Sequence, residues 1–176
     1  GHYYGNTFDV DLNLNSPKIT FQDLKFENVI SKNTFDANDA SSSFIIGKLT
    51  FKDSIHFDQV ELTAQRIDDQ ISSNLIWDPD SPTASSIHWE TEVKDLTHYS
   101  FVLDPSYFSI QDFKWEIANQ SKLQIHNDTI EVNKFKLLRG EQSIYLNGAF
   151  SKNDSQKLNF DIKKLDLGEI STFFSD

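Results

Sequence analysis

The sequence predicts an all-β chain whose strands are mostly antiparallel neighbours in a meander. Apolar and polar residues alternate with a period of two over most of the length. The alternating runs recur about every ten residues, with short polar breaks between them. The apolar positions are mostly Phe, Leu and Ile, which suit a pleated surface buried on one side. This pattern puts about half to two-thirds of the chain in strands, well above the ~20–25% of ordinary globular proteins. No strict internal repeat accompanies it.

Each element follows from its local pattern. Phe8, Val10, Leu12 and Leu14 alternate with Asp9, Asp11 and Asn13. Ile19 and Phe21, then Leu24 and Phe26, follow Pro17. Ile45, Gly47, Leu49 and Phe51 alternate with Lys48, Thr50 and Lys52, and Ile55, Phe57, Val60 and Leu62 come after short breaks. The loop DPDSPTASS, residues 78–86, makes a weak subdivision of what is otherwise a single β-rich segment, residues 1–176. Beyond it come Ile87 and Trp89, Phe101 and Leu103, Phe108 and Ile110 after Pro105, and then Phe113, Trp115 and Ile117. Leu123 and Ile125 lead through a turn at Asn127-Asp128 into Ile130 and Val132. Ile144, Leu146, Gly148 and Phe150, then Leu158, Phe160 and Ile162, complete the series. The phase slips between Val132 and Phe135 and between Ile162 and Leu165, which predicts a bulge or bend at Lys134 and at Lys163-Lys164. The tail carries Ile170, Phe173 and Phe174 at helical spacing and is expected to form one or two helical turns covering an end.

Composition narrows the function. The net charge of −11 argues against nucleic acid and against direct docking on anionic lipid headgroups. Cys is absent, so disulfides and thiolate metal sites are excluded. No run of 18 apolar residues occurs, so no transmembrane helix is expected. The first alternation starts close to the beginning and the last apolar residues lie close to the end, as expected of a segment of a larger protein.

Residues that could do chemistry are few. His2, His56, His88, His98 and His126 show no metal-ligand spacing and read as surface or edge residues. The stretch DANDASS, residues 36–42, has Ser41 and Gly47 where a calcium-binding loop counted from Asp36 needs Gly and Glu, so it reads as a polar loop. With 27 acidic residues, a chance carboxylate pair carries no information about glycoside chemistry. No nucleophile elbow or phosphate-binding glycine loop is present, and no catalytic residue, metal or cofactor is assigned. Asn119, Asn127 and Asn153 begin glycosylation sequons, as expected by chance in an Asn-rich chain. Trp115 is in phase with Phe113 and Ile117 and reads as core, while Trp77, before Asp78-Pro79, is expected at a rim. Gly140 suits a turn and Gly148 a close strand approach.

Strands apolar on one side and polar on the other need that apolar face covered or shielded. A closed sandwich does this, and so does a sheet folded along its length around a hydrocarbon chain. The lining is nearly all Phe, Leu and Ile, without the convergent polar groups of an enzyme pocket. An acyl chain needs none, since the hydrophobic effect is non-directional and stabilises by ~0.8 kcal/mol per buried methylene. Ordinary core and lipid groove both fit this lining.

Three stretches make up most of about the last 80 residues: SFVLDPSYFSIQDFKWEI, SKLQIHNDTIEVNKFKLLRGEQSIYLNGAFS and LNFDIKKLDLGEI. They hold, in order, Pro105-Ser106, Trp115, Ile130 with Val132 and Asn133, Phe135 with Leu137, then Gln142, Ile144, Leu146 and Gly148, then Leu167 and Ile170. In the order of these motifs the chain resembles the TamB family of AsmA-like proteins. The Ile-, Lys-, Asn- and Phe-rich composition resembles versions from the Bacteroidota. The resemblance implies an elongated, curled antiparallel sheet, a "β-taco" trough with an apolar interior. It implies a segment from the C-terminal half of a periplasm-spanning bridge in a diderm bacterium, anchored in the inner membrane. The implied partners are phospholipid acyl chains and a TamA-like outer-membrane barrel or its lipoprotein counterpart, with roles in lipid transport and protein assembly. On that reading the groove is lined by Phe101, Leu103, Trp115, Ile117, Leu123, Ile125, Ile130, Val132, Ile144, Leu146, Phe150, Leu158, Phe160 and Ile162. Two other readings of the same pattern are a β-sandwich lectin or adhesin module displaying Trp77, and a closed structural spacer.

Overall fold

The period-two pattern folds as one antiparallel sheet. The computed structural model describes residues 9–36, 39–95, 97–110, 113–151 and 157–166. The expected helical turns at residues 170–174, together with Phe8, Leu167 and the Asn153 sequon, lie outside the described residues. The strands are β1 (Val10–Phe21), β2 (Leu24–Phe35), β3 (Asp39–Phe51), β4 (Ile55–Ile67), β5 (Gln70–Trp77), β6 (Ser85–Asp95) and β7 (His98–Leu103). They continue as β8 (Ser106–Ile110), β9 (Phe113–Ile117), β10 (Ser121–His126), β11 (Thr129–Arg139), β12 (Gln142–Phe150) and β13 (Leu158–Lys163). All belong to one 13-stranded sheet, and no helix occurs among the described residues.

The topology is an unbroken meander. β7 and β8 lie end to end along β6, pairing Leu103 with Trp89 and Tyr107 with Ser86. β9 and β10 lie end to end along β11, pairing Ile117 with Leu137 and Lys122 with Asn133. Each pair is thus one long strand interrupted once, at Asp104-Pro105 and at residues 118–120. Proline lacks an N–H for the ladder, which explains the first interruption. Two-residue hairpins join β1–β2, β4–β5, β10–β11 and β11–β12, and each begins with a left-handed residue: Gln22, Asp68, Asn127 and Gly140. Such turns match the twist of the strands they connect.

The apolar side chains do not keep one phase along a strand. At Asn28 (φ 55°) and Gln59 (φ 50°) the backbone turns left-handed inside β2 and β4. Pro17 and Gly47 stand opposite in β1 and β3, between the pairs Ser16↔Val29 and Lys18↔Glu27 and the pairs Ile46↔Val29 and Lys48↔Glu27. Four neighbouring strands therefore shift phase in one row while their register is kept, and the apolar face continues across it. This corrects the alternation expected for β3. Ile46 is the buried residue at 4% exposure, whereas Ile45 points outward at 36% beside Ile30. The predicted slip at Lys134 is present as a bulge between Val132 and Phe135, with Lys134 at φ 56°. At the other predicted slip β13 ends at Lys163 and the chain bends at Lys164, φ 50°.

The sheet is concave on its apolar side. Trp77 and Phe108 approach to 6.1 Å between ring centroids, although β6 separates their strands. The small Ser85 occupies the intervening position and is 2% exposed. Trp77 also meets Phe57 edge-on at 6.0 Å and donates its indole N–H to the Ser109 carbonyl at 3.0 Å. Trp77 is therefore 7% exposed and part of the core, not a rim residue. Its neighbour β8 bends across it beyond Pro105. Ile46, Val60 and Trp77 form the centre of this core, with Phe26, Phe44, Leu49 and Phe57 packed around them. Burying a residue such as Val29 or Ile46 contributes about 1.5–3 kcal/mol.

Candidate functional site: an apolar trough in the second half

β7, β10, β11 and β12 run side by side and alternate strictly on either side of the Lys134 bulge, which decides what they present. Leu123 pairs with Phe101 and Val132, Ile125 with Ile130, Phe135 with Leu146, and Leu137 with Ile117 and Ile144. Directly opposed residues share a face. All fourteen residues expected to line a groove consequently lie on the concave face.

The structure brings some of them together and separates others. Phe101, Leu103, Leu123, Val132 and Leu146 surround a hollow of ≈ 380 Å³, with Trp89, Phe135, Ser121 and Lys122 completing its wall. That volume falls within the ~300–1,000 Å³ of ligand clefts. No His, Asp or Glu lines it. Ile144 continues the floor away from the hollow, next to Leu137. Ile125, Ile130 and Phe150 continue it the other way, and Ile130 and Phe150 are 42% and 64% exposed. Leu158, Phe160 and Ile162 form the exposed edge strand β13. Trp115 lies beyond the strand interruption, paired with Phe108. Ile117 is 3% exposed, so it belongs to the core and leaves no surface to a ligand.

Trp89, Phe135 and Leu137 line the trough but were not among the fourteen. Trp89 was visible only as the start of a strand. Phe135 sits one residue out of phase with Val132, and only the bulge turns it inward. That bulge is held from both sides. Lys134 N–H donates to Asn147 Oδ1 at 3.0 Å, and the Lys134 carbonyl accepts from Asn119 Nδ2 at 2.8 Å and from Ser121 Oγ at 3.3 Å. A left-handed Lys costs about 1–2 kcal/mol, which these bonds offset.

The convex face is polar, and one cluster on it has the outline of a catalytic triad. Ser72 Oγ lies 3.1 Å from His88 Nε2, and His88 Nδ1 lies 2.7 Å from Asp104 Oδ2. Gln120 donates to the other Asp104 oxygen at 3.0 Å. That amide bond, and then His88, hold the Asp104 carboxyl below the usual carboxylate range. Ser72, however, is paired on both sides, with Gln65 and Glu90. Its backbone N–H belongs to the ladder, and an oxyanion needs donors aimed at the developing charge. The cluster stitches β5, β6 and the β7–β8 junction together.

The other described histidines are local. His98 Nδ1 lies 2.8 Å from Asp95 at the β6–β7 turn, His56 Nδ1 lies 3.1 Å from the Thr50 hydroxyl, and His126 is 3.9 Å from Glu131. No group of His, Cys, Asp and Glu that could hold a metal occurs among the described residues. Asp36 caps the loop before β3 by accepting from the Asp39 N–H at 2.6 Å. Comparison with known protein families, characterised proteins and solved structures returns no match.

Proposed function

We propose that this chain is a segment of a TamB-like bridge across the periplasm of a diderm bacterium, and that its concave face carries phospholipid acyl chains. The observation that supports this most directly is the hollow between Trp89, Phe101, Leu123, Phe135 and Leu146. It has the size of a ligand cleft, its wall is mostly hydrocarbon, and it opens along an exposed apolar floor toward Phe150 and Phe160. Apart from Trp89, its wall also lies within the stretch that resembles the family. A polar substrate would find few groups there to orient it, whereas a hydrocarbon chain needs only area removed from water. On this reading the full-length protein is anchored in the inner membrane and meets a TamA-like barrel or lipoprotein at the outer membrane. Headgroups stay in water along the open side. The segment is not an enzyme, and covalent labelling of Ser72 by a fluorophosphonate would refute that.

The test is uptake of a fluorescent phospholipid from vesicles by the purified chain. Leu146→Arg places a charge in the wall of the hollow and is expected to lower uptake by at least about tenfold, a difference of about 1.4 kcal/mol. Tyr145→Arg, one residue away on the convex face, should leave uptake unchanged. Wild-type protein that takes up no lipid, or equal loss in both variants, would refute the reading.

A further inference from the structure

A hydroxyl taken out of water needs a hydrogen-bond partner, and on the apolar side of this sheet two hydroxyls lack one. Among the described residues, four buried Ser and Thr side chains face the concave side: Ser73, Ser85, Thr91 and Ser121. Ser85 donates to the Thr83 carbonyl at 2.7 Å, and Ser121 to the Asn119 carbonyl at 3.2 Å. Ser73 is 5% exposed and Thr91 8%, and neither hydroxyl has a hydrogen-bond partner in the protein. Gln142 Oε1 is the one fully enclosed side-chain atom among the described residues without a partner, so both hydroxyls still reach open space.

Both adjoin the apolar hollow. Ser73 stands directly opposite Trp89, and Thr91 directly opposite Phe101. Those two rings belong to the wall of the hollow. Directly opposed side chains have Cβ atoms ~4.5–5.5 Å apart, so the hydroxyls border the end of the hollow at β5 and β6. From Trp89 to Leu146 the hollow crosses from β6 over β7, β10 and β11 to β12, four strand spacings or ~19 Å. That accommodates one acyl chain, which spans half of a bilayer core ~30 Å thick. The other paired neighbours of Ser73 and Thr91 are Ala64 and Ile71. Two hydroxyl donors in such uncharged surroundings suit an uncharged acceptor, whereas a phosphate calls for Arg or Lys.

We propose that Ser73 and Thr91 donate hydrogen bonds to the ester carbonyls of a lipid whose acyl chain lies in the hollow. The inference rests on the lipid-trough reading and adds to it a preference for ester-linked lipids. Replacing an ester by an ether removes the carbonyl and makes the lipid more apolar. A trough that only shields hydrocarbon therefore favours the ether. A trough with two donors at its end favours the ester, because the ether leaves them unpaired.

The experiment compares dioctanoylglycerol with dioctylglycerol, its ether analogue with chains of the same length, by titration of the full chain. The ester should bind about two- to tenfold more tightly, as expected for one net hydrogen bond. Ser73→Ala combined with Thr91→Val, which nearly preserves side-chain volume, should abolish or reverse that preference. The infrared carbonyl stretch of the ester should fall in frequency on binding to wild type and stay unshifted in the double variant. Circular dichroism establishes that the variant is folded, and the infrared band of the wild type tests the idea without any variant. Equal binding of the two lipids to wild type, tighter binding of the ether, or an ester preference that survives in the folded double variant overturns the assignment and leaves the trough reading standing. Binding of neither lipid defeats both.

Discussion

The first six strands and the last seven are made from the same alternating pattern, but they use it in opposite ways. In β1–β6 the centre of the concave side is filled, while Leu12, Leu14 and Phe21 on the same face stay exposed. Val29, Ile46, Ile55, Val60 and Trp77 are all under a tenth exposed, and large rings close over them. Among the described apolar residues of β7–β13 only Ile117 reaches that degree of burial, and a hollow of ≈ 380 Å³ remains. Ring size and position explain the contrast. In the first half Trp77 meets Phe57 on one side and, on the other, Phe108 reaching over from β8. In the second half the rings of Phe101 and Phe135, joined by Trp89 from β6, stand around a gap that Leu123 and Val132 also line. A curled sheet can thus pack its own rings at one place along the meander and leave an apolar gap at another without any change of topology.

Substitutions can break or sharpen this comparison. The largest stability effect is expected for Trp77→Ala. Removing an indole that packs on Phe57 and Phe108 and bonds Ser109 should cost about 3–5 kcal/mol, read as a fall in the urea midpoint. A loss under 1 kcal/mol would show that the first half is not the more rigidly packed one. Next is Gly148→Ala at the edge of the open half. Gly148 has φ 120°, and an added Cβ would meet the Lys157 carbonyl oxygen at 2.2 Å. The strain should cost about 1–3 kcal/mol and free β13, seen as faster amide exchange at Phe160 and Ile162 with Ile46 and Val60 unaffected. Uniform loosening of both halves would show that they unfold as one unit.

The smallest effect belongs to the turn between the halves. Hydrogen bonds from His98, then from the Thr97 hydroxyl and backbone N–H, lower the Asp95 carboxyl to about 2. Because the folded value lies below the ordinary 3.8, this local stabilisation is present above pH 3.8 and is lost as the pH falls through about 2. Exchange at the Thr97 amide should rise over that window in the wild type. In Asp95→Asn it should already be raised at neutral pH and stay flat. A wild-type profile without that rise would mean that the carboxylate does not hold the turn.

How much was legible in the sequence differs between the halves for the same physical reason. Phe101, Leu123, Ile130, Val132, Ile144 and Leu146 could be placed on one face because β7, β10 and β12 are regular and the lone slip in β11 shows as a break in the pattern. The first half misled at Ile45, because Asn28, Gly47 and Gln59 shift phase together. When neighbouring strands slip in the same row register is kept, and the change of parity from Phe57 to Val60 reads in the sequence as a break between two runs. β5 was not singled out, since Ser72, Ser73 and Asn74 dilute its alternation. The position of Trp77 was misjudged because its cover comes from Phe108 and Ser109, more than thirty residues away.

By itself, the sequence determined that the chain is all-β, that it runs as an antiparallel meander, and that one face is apolar. Those properties are local, set by a two-residue period and by turn residues. Only the tertiary structure decided which apolar residues touch each other and which line open space. Those outcomes depend on how far the sheet bends and on which row of residues lets it bend, and curvature is a sum over many strands that no single stretch encodes.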